Sequence, residues 1–390
     1  MSTTAITVIA ALVLAWCVLS RRLGRWDLTA PMVFLAAGAL LGGPALLDLQ
    51  LTSSSLELIA EVTLVFVLFS DASRVDLSSL RHDLALPVRL LGVGLPLTLL
   101  LGTAIATLLP SVGWGEALLV AACLTPTDAG LGAGLVADPR IPRRVRRNLN
   151  IESGLNDGII APVVAVAVAA LAGESAHESG FVVTAVRELG SGAAVGAAVG
   201  LVGGWALVTA ARRHWSEPGT VHLASVALAL GAYFGAVTIH GNGFVAAFVA
   251  GLCFGPFSAR LDQALELDES VGQLLSAVVW FCFGAVMLRP AVDGVTWQVL
   301  AYAVASLTVV RMAPVALALV GSGCDRRTTA FIGWFGPRGL ASVIFALIAY
   351  DELGAASGPL VSIVSWTVLL SVLAHGLSAA PLVERYTATE

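Results

Sequence analysis

Long apolar runs follow one another from the start of the chain to its end, and short polar stretches separate them. A run of about 20 apolar residues is long enough for a helix to cross the hydrocarbon core of a bilayer. The pattern therefore predicts an all-α polytopic membrane protein with about 13 transmembrane spans, whose bounds are approximate. The predicted spans, numbered 1 to 13 in chain order, are residues 4–20, 28–47, 53–70, 84–109, 114–136, 149–172, 189–211, 218–238, 241–257, 271–288, 295–320, 328–350 and 356–382.

The composition supports this prediction. Of the 390 residues, 57% are hydrophobic and only 12% are charged, about half the charged fraction of soluble domains. We therefore interpret the whole chain, residues 1–390, as one transmembrane domain without a large soluble part. The five cysteines are scattered without metal-ligand or disulfide-like spacing. No Gly-rich phosphate loop ending in Lys-Ser/Thr is present, so we predict no cofactor and no ATP-driven transport.

Arginine, the only basic residue type besides histidine, is distributed unevenly among the loops. Loops after odd-numbered spans are rich in arginine, and loops after even-numbered spans contain almost none, with Arg289 the clearest exception. Cytoplasmic loops carry the excess of positive residues, so we predict an N-terminus outside and a C-terminus in the cytoplasm. The arginines after the odd-numbered spans are Arg21, Arg22, Arg25, Arg74, Arg81, Arg140, Arg143, Arg144, Arg146, Arg147, Arg212, Arg213, Arg260, Arg326 and Arg327.

Spans 5 and 12 are each interrupted by a proline, Pro126 and Pro337. Proline lacks an N–H group and clashes with the preceding helical turn, so both spans are predicted to be broken helices. Interrupted spans at matching positions of two halves are typical of inverted-repeat transporters. We therefore predict a first six-helix repeat (1–172) and a second (218–382), joined by an amphipathic stretch and a linking helix (173–211).

Three acidic residues lie inside apolar spans: Asp128 in span 5, and Glu152 and Asp157 in span 6. An ionised aspartate at bilayer depth costs roughly 2.5–3.5 kcal/mol. Three such groups without partners would cost on the order of 8–10 kcal/mol. Because packing alone does not justify that cost, the acids predict a pathway for ions or protons.

Helical spacing places Ser153 and Asp157 on one face of span 6, because they are four residues apart. Glu152 and Asn156 share a neighbouring face, rotated by about 100°. We therefore predict that Asp157 is the central carboxylate of a site for a monovalent cation. The supporting oxygens are predicted to come from Asp128, Ser153 and Thr127.

A carboxylate in a narrow, desolvated cavity holds a proton more readily than the same group in water. Sodium favours the deprotonated form, so the proton and the cation are expected to compete for the same oxygens at Asp157. Competition for one site, combined with alternating access from the two sides of the membrane, is sufficient for antiport.

Glu152 is better suited to neutralise a buried arginine, since an unpaired buried charge is strongly destabilising. Arg338, at the break of span 12, is the first candidate partner. Arg311 in span 11 is the alternative partner, or it caps carbonyl groups freed by a broken helix. Asn156 either belongs to the site or forms only a hydrogen bond between helices.

At these residues the chain resembles the monovalent cation:proton antiporter family, in its electroneutral branch of bacterial sodium/proton exchangers. The Glu-x-x-x-Asn-Asp element formed by Glu152, Asn156 and Asp157 is highly specific in a membrane setting. The similarity in order and spacing extends over essentially the whole chain. The stretches that carry it are residues 124–130, 148–158, 336–342 and 375–382.

The resemblance implies a fold of thirteen spans, with broken spans 5 and 12 crossing beside the site, and a homodimer. It implies that Asp157 is the transport carboxylate, with co-ligands Asp128, Ser153 and Thr127. It also implies that Glu152 pairs with the arginine of the Gly-Pro-Arg-Gly element, here Arg338.

Two features favour the exchange of one proton per cation. Asn156 stands where electrogenic relatives carry a second aspartate, and the membrane lysine of those relatives is missing. The sequence departs from the family pattern in one respect, because Ala129 follows Asp128 where many members have proline, and the proline instead precedes it at Pro126.

We expect a secondary active antiporter, not an enzyme, that exchanges sodium or lithium for protons in a prokaryotic plasma membrane. The expected partners are these ions, membrane lipids and a second copy of the chain, with no nucleic acid. Potassium/proton exchange at the same site is the first alternative. A sodium-coupled symporter of an organic anion would need a larger polar cavity, and a membrane sensor would need a signalling domain.

Overall fold

The computed structural model describes residues 3–26, 28–42, 53–75, 85–110, 112–128, 138–173, 178–217, 220–261 and 265–387. Over these residues the regular secondary structure is helical throughout. Seven helices are long and apolar enough to cross a membrane, and four further apolar helices are shorter. The prediction of an all-α polytopic membrane protein is therefore confirmed.

Every predicted span overlaps a helix, and we number the helices to match the spans. Several predicted residues lie outside the described residues: 43–47 of span 2, 84 of span 4, 129–136 of span 5, 174–177 of the linking segment and 218–219 of span 8. How many of these helices cross the bilayer stays a prediction. The helices are α1 (Thr3–Leu23), α2 (Ala30–Leu41), α3 (Ser53–Ser73), α4 (Ala85–Ala106), α5 (Trp114–Leu124), α6 (Arg143–Leu171), α7 (Glu178–Arg212), α8 (Val221–Thr238), α9 (Gly243–Ser258), α10 (Glu266–Val286), α11 (Trp297–Ala318), α12a (Arg326–Trp334), α12b (Leu340–Leu353) and α13 (Gly358–Thr387).

The described chain forms two compact units. The first comprises Met1–Ala60, Ala85–Asn156 and Ser276–Glu390, and the second comprises Glu61–Leu84 and Asp157–Leu275. These units are defined by contacts, whereas the predicted repeats are defined by symmetry along the sequence. The division into repeats therefore stays a prediction.

Close packing of α7 against α9 dominates the second unit. Gly192, Gly196 and Gly200 recur every four residues, so they lie on one face of α7. A Cβ atom at any of them would overlap a backbone carbonyl oxygen of the segment that leads into and forms α9. Small residues at this spacing allow two helix backbones to approach closely inside a membrane. The facing carbonyl groups belong to Asn242, Ala246 and Ala250.

The first unit contains the helix breaks. Helix α5 ends at Leu124, and the following residues, 125–128, are not helical. Helix α12a ends at Trp334, and α12b begins at Leu340 after an irregular segment that contains Pro337. Both interruptions contain the prolines from which they were predicted. An apolar core around α12a contains residues from five helices, α4, α6, α11, α12a and α13, among them Leu90, Leu149, Val315, Ile332 and Tyr386.

Candidate functional site

The two breaks lie side by side within the first unit. The backbone N–H of Asp128 donates a hydrogen bond to the carbonyl oxygen of Pro337 at 2.9 Å. The Asp128 carboxylate contacts the break of span 12 as well: its Oδ2 accepts a hydrogen bond from the N–H of Leu340, the first residue of α12b, at 2.8 Å. A carboxylate at the first turn of a helix satisfies a free N–H group and interacts favourably with the helix dipole. Asp128 therefore caps α12b and joins the two breaks.

Glycine is required at the last position before α12b. A Cβ atom on Gly339 would overlap the carboxylate of Asp128. The backbone there is also far from helical, with φ −143° and ψ −131°. The close approach of Asp128 to the start of α12b thus depends on the absence of a side chain at residue 339.

Arg338 occupies the break of α12 and is fully buried, with a relative exposure of 0%. Its Nη1 donates hydrogen bonds to the carbonyl oxygens of Thr125 at 3.1 Å and of Pro126 at 3.2 Å. Both carbonyls lie just after the end of α5, where helical hydrogen bonding has stopped and the dipole favours positive charge. Arg338 therefore caps the broken end of span 5.

Glu152 does not pair with Arg338, and that prediction was wrong. Its partner is Arg311 of α11, whose Nη1 lies 2.5 Å from Glu152 Oε1. Both side chains are almost completely buried, at 2% and 3% exposure. Since Arg338 is occupied with backbone carbonyls, Arg311 supplies the counter-charge for Glu152. The two arginines thus have the reverse of their expected roles.

Gly336 makes room for this ion pair. A Cβ atom on Gly336 would overlap the Arg311 guanidinium. Each residue of the Gly-Pro-Arg-Gly segment, residues 336–339, therefore has its own structural role. Gly336 admits Arg311, the Pro337 carbonyl receives the Asp128 N–H, Arg338 caps α5, and Gly339 admits the Asp128 carboxylate.

Thr127 is held by two hydrogen bonds from α6. Ser153 Oγ donates to the Thr127 carbonyl oxygen at 2.6 Å, and Asn156 Nδ2 donates to Thr127 Oγ1 at 2.6 Å. These three residues are buried. The Asn156 Oδ1 atom is buried without a hydrogen-bond partner among the described residues, so it leaves an acceptor oxygen available. The site therefore contains oxygen atoms held in place by α6.

Asp157 follows Asn156 directly in α6 and is the first residue of the second segment of the second compact unit, Asp157–Leu275. It is buried, with a relative exposure of 6%. Helix α6 is continuous from Arg143 to Leu171, so Asp157 lies one turn beyond Ser153 on the same helix face. The register that was predicted for these two residues is present in the structure.

The structure brings Asp128, Thr127, Ser153, Asn156 and Arg338 into one hydrogen-bonded arrangement within the first unit. Sequence reasoning gave too little weight to Arg311 and missed two other features. One is the steric role of the glycines, and the other is the cap that Asp128 forms on α12b. One signal in the sequence could have identified the partner of Glu152. Arg311 lies in the middle of an apolar span, and such a residue needs a buried counter-charge.

The chain resembles known proteins over most of its length. The family described as sodium/hydrogen exchanger, transmembrane, matches residues 8–385. The K(+)/H(+) antiporter NhaP of Alkalimonas amylolytica is 26% identical over 325 residues, covering 82% of this chain and 56% of that protein. The K(+)/H(+) antiporter NhaP2 of Shewanella baltica (strain OS223) is 26% identical over 369 residues, covering 92% of this chain and 63% of that protein. The chain thus spans about six tenths of the length of these curated relatives.

A solved structure shares the fold. The sodium proton antiporter MjNhaP1 from Methanocaldococcus jannaschii, determined at pH 8, superposes with a TM-score of 0.76 at 19% sequence identity. The alignment covers 96% of this chain and 99% of MjNhaP1. With the family match extending over nearly the whole sequence, the chain belongs to the sodium/hydrogen exchanger family.

Proposed function

We propose that this protein is a secondary active antiporter that exchanges sodium or lithium ions for protons, one for one. The cation and the proton compete for Asp157, and the oxygens of Asp128, Ser153 and Thr127 support the bound cation. The observation that carries the proposal is the pair of joined helix breaks, whose polar atoms are held in register by buried hydrogen bonds. Preorganised oxygens at broken helices are what a dehydrated monovalent cation needs.

The formal charges of the site support a one-for-one exchange. Glu152 and Arg311 cancel each other, and the charges of Asp128 and Arg338 also sum to zero. An ionised Asp157 adds one negative charge, which either one proton or one monovalent cation neutralises. Because a buried net charge is costly, the protein is expected to change conformation with one of them bound. Net movement of charge over a full cycle is then zero.

The relatives differ in the cation that their names give. The two NhaP-type relatives are named as K(+)/H(+) antiporters, whereas MjNhaP1 is named as a sodium proton antiporter. We retain sodium or lithium as the proposed substrate and potassium as the second candidate. Proton flux into proteoliposomes, measured with equal pulses of sodium, lithium and potassium, separates them.

Replacement of Asp157 tests the central carboxylate. Asp157→Asn should abolish cation-dependent proton movement in proteoliposomes, because an amide cannot release or bind a proton in this pH range. Asp157→Glu keeps a titratable group and is expected to retain a fraction of the activity. Glu384→Gln, an equivalent charge change at an exposed position, is the control and should exchange normally. Undiminished exchange by Asp157→Asn would end the assignment.

The stoichiometry is tested by varying the membrane potential. Sodium-dependent proton flux should be the same with the potential clamped at zero and with an imposed potential, because a one-for-one cycle moves no net charge. Strong dependence on the potential would exclude electroneutral exchange while leaving antiport itself intact.

The cellular setting is part of the same proposal. The arginine distribution supports an N-terminus outside and a C-terminus in the cytoplasm. The resemblance to prokaryotic NhaP-type antiporters supports a prokaryotic plasma membrane, and we propose that the protein acts there as a homodimer. An exchanger placed in this way would contribute to pH and sodium homeostasis. Labelling of the partly exposed Cys324, in the loop between spans 11 and 12, by an impermeant reagent tests the orientation. Cys324 should react only from the cytoplasmic side.

A further inference from the structure

His375 lies in α13 beside the break of span 12, and the proposed exchange does not use it. It is buried, with 2% exposure. Its Nε2 is 2.9 Å from the carbonyl oxygen of Trp334, the last residue of α12a. Its Nδ1 is 3.2 Å from the hydroxyl oxygen of Ser371, one turn earlier in α13. The imidazole therefore bridges α13 and the broken end of α12a.

Ser371 extends this bridge to the far side of the break. Its hydroxyl oxygen accepts a hydrogen bond from the backbone N–H of Arg338 at 2.7 Å. The hydroxyl proton of Ser371 is then available for His375 Nδ1. A single chain of hydrogen bonds thus runs from the Arg338 N–H through Ser371 and His375 to the Trp334 carbonyl.

Only one neutral tautomer of His375 satisfies this chain. With the proton on Nε2, the imidazole donates to Trp334 and accepts from Ser371 through Nδ1. Nδ1 also lies 2.8 Å from the Ser371 carbonyl oxygen, so a doubly protonated ring is the competing form. Two buried arginines, Arg311 and Arg338, already occupy this unit, and a third buried cation would be costly. The neutral Nε2–H form is therefore favoured.

The ring is also fixed in orientation. The indole of Trp334 packs on the imidazole of His375 with ring centroids 5.1 Å apart and an angle of 30° between planes. The indole Nε1 donates to the hydroxyl of Ser378 at 3.0 Å. The side chain of Trp334 thus holds the imidazole against the carbonyl group of the same residue.

We propose that His375 and Ser371 are positioning residues that set the geometry of the span 12 break. They tie the end of α12a and the backbone of Arg338 to α13, which is continuous from Gly358 to Thr387. Through Arg338 they hold the guanidinium on the carbonyl groups of Thr125 and Pro126. This inference rests on the proposed cation site, because it assigns His375 and Ser371 to the support of that site.

Two substitutions of His375 separate the two ends of the bridge. His375→Gln places an amide donor at the distance of Nε2, so it can keep the bond to Trp334 while losing the bond to Ser371. His375→Asn can keep the bond to Ser371 while losing the bond to Trp334, because the shorter asparagine side chain places its amide group at the distance of Nδ1 from the backbone. The matched control is His240→Gln, at an exposed position after α8.

Transport by these variants gives the functional test. His375→Asn should lower the maximal rate of sodium-dependent proton flux about tenfold, the effect of one lost buried hydrogen bond. His375→Gln should recover most of that rate, and Ser371→Ala should raise the apparent KM for the cation more than it lowers the rate. Equal losses of rate in His375→Gln and His375→Asn, at unchanged melting temperatures, would overturn the proposal.

Nitrogen NMR of the histidine rings gives a test that is independent of transport. The His375 signals, assigned by their loss in His375→Gln, should show a protonated Nε2 and an unprotonated Nδ1. A doubly protonated ring, or a proton on Nδ1 alone, would overturn the bridge. If the wild-type protein exchanges no cation, the proposed function fails while the NMR result still decides the hydrogen-bonded bridge.

Discussion

The two compact units are stabilised in different ways. In the first unit, broken helices are held by charged and polar side chains that bond to backbone groups, as Arg338 does with Thr125 and Pro126. In the second unit, α7 and α9 pack through small residues with their backbones in close contact, as at Gly196 and Ala246. Charged side chains thus satisfy the backbone groups freed at the helix breaks of the first unit, whereas α7 and α9 of the second unit are joined by close packing of small residues.

This difference has a physical reason. A broken helix leaves carbonyl and N–H groups without helical partners, and each such group is costly at membrane depth. Arg338 and Asp128 satisfy these groups in the first unit. Along the interior of an uninterrupted helix these groups bond to each other, so dispersion forces between closely packed backbones suffice there.

The largest effect is expected from breaking the ion pair of the first unit. Glu152→Ala leaves Arg311 buried without its partner at 2% exposure, which should cost about 3–5 kcal/mol. We expect a strongly reduced folded yield and a lower melting temperature in detergent. Size-exclusion chromatography and thermal unfolding with a fluorescent reporter measure both quantities.

The double variant Glu152→Leu with Arg311→Met is the control for this prediction. Replacing both charges by apolar groups removes the unpaired charge, so much of the lost stability should return. A normal yield of Glu152→Ala with lost transport would contradict the structural role of Glu152. It would instead indicate that Glu152 takes part in ion movement.

Much of this contrast could be predicted from the sequence. Pro126 and Pro337 predicted the positions of both breaks, because the effect of proline on a helix is local. The register of Ser153 and Asp157 followed from helical spacing alone. Asp128 was likewise predicted to need bonding partners, because an acid inside an apolar span is costly without them.

The arginine partners could not be derived in the same way. Arg311 and Arg338 both lie in apolar spans, and either could reach Glu152 as far as the sequence tells. The choice depends on how the broken segments cross, which is a three-dimensional property. The glycine spacing of α7 was a readable signal, because Gly192, Gly196 and Gly200 recur every four residues. In contrast, only the packing in the structure shows that α9 is the helix against this glycine face of α7.

A smaller effect is expected from disturbing the packing of the second unit. Gly196→Val introduces a side chain where even a Cβ atom would overlap the carbonyl oxygen of Ala246. Overpacking of this kind typically costs about 1–3 kcal/mol. The melting temperature should fall, and the apparent KM for sodium should stay unchanged in the fraction that remains folded.

Gly190→Val on the same helix is the matched control. A Cβ atom at Gly190 would meet nothing within 4 Å, so no overlap arises there, and valine is a somewhat better helix former than the glycine it replaces. Equal melting temperatures for the Gly190 and Gly196 variants would show that close backbone contact is not what holds this unit. The distinction between the two units would then be lost.

The smallest effect concerns a buried acid in the second unit. Asp268 has 1% exposure and precedes the apolar part of α10, which begins at Ser270. Burial raises the pKa of Asp268 from 3.8 to about 6, although Ser225, Arg74 and His222 act in the opposite direction. The folded protein therefore holds this proton more tightly than the unfolded chain. Its contribution to stability is present below pH 4 and is lost as the pH rises towards 6.

Asp268→Asn removes this dependence, because the amide stays neutral at every pH. Relative to the wild type, the variant should melt at a higher temperature at pH 8 and at nearly the same temperature at pH 4. The difference is on the order of 1–2 kcal/mol, since one pKa unit corresponds to about 1.4 kcal/mol and partial screening reduces the total. Asp325 provides the opposite case, because hydrogen bonds from Thr328 lower its pKa. Asp325→Asn should therefore lower the melting temperature at pH 8, and an equal response of both variants would contradict the assignment of Asp268.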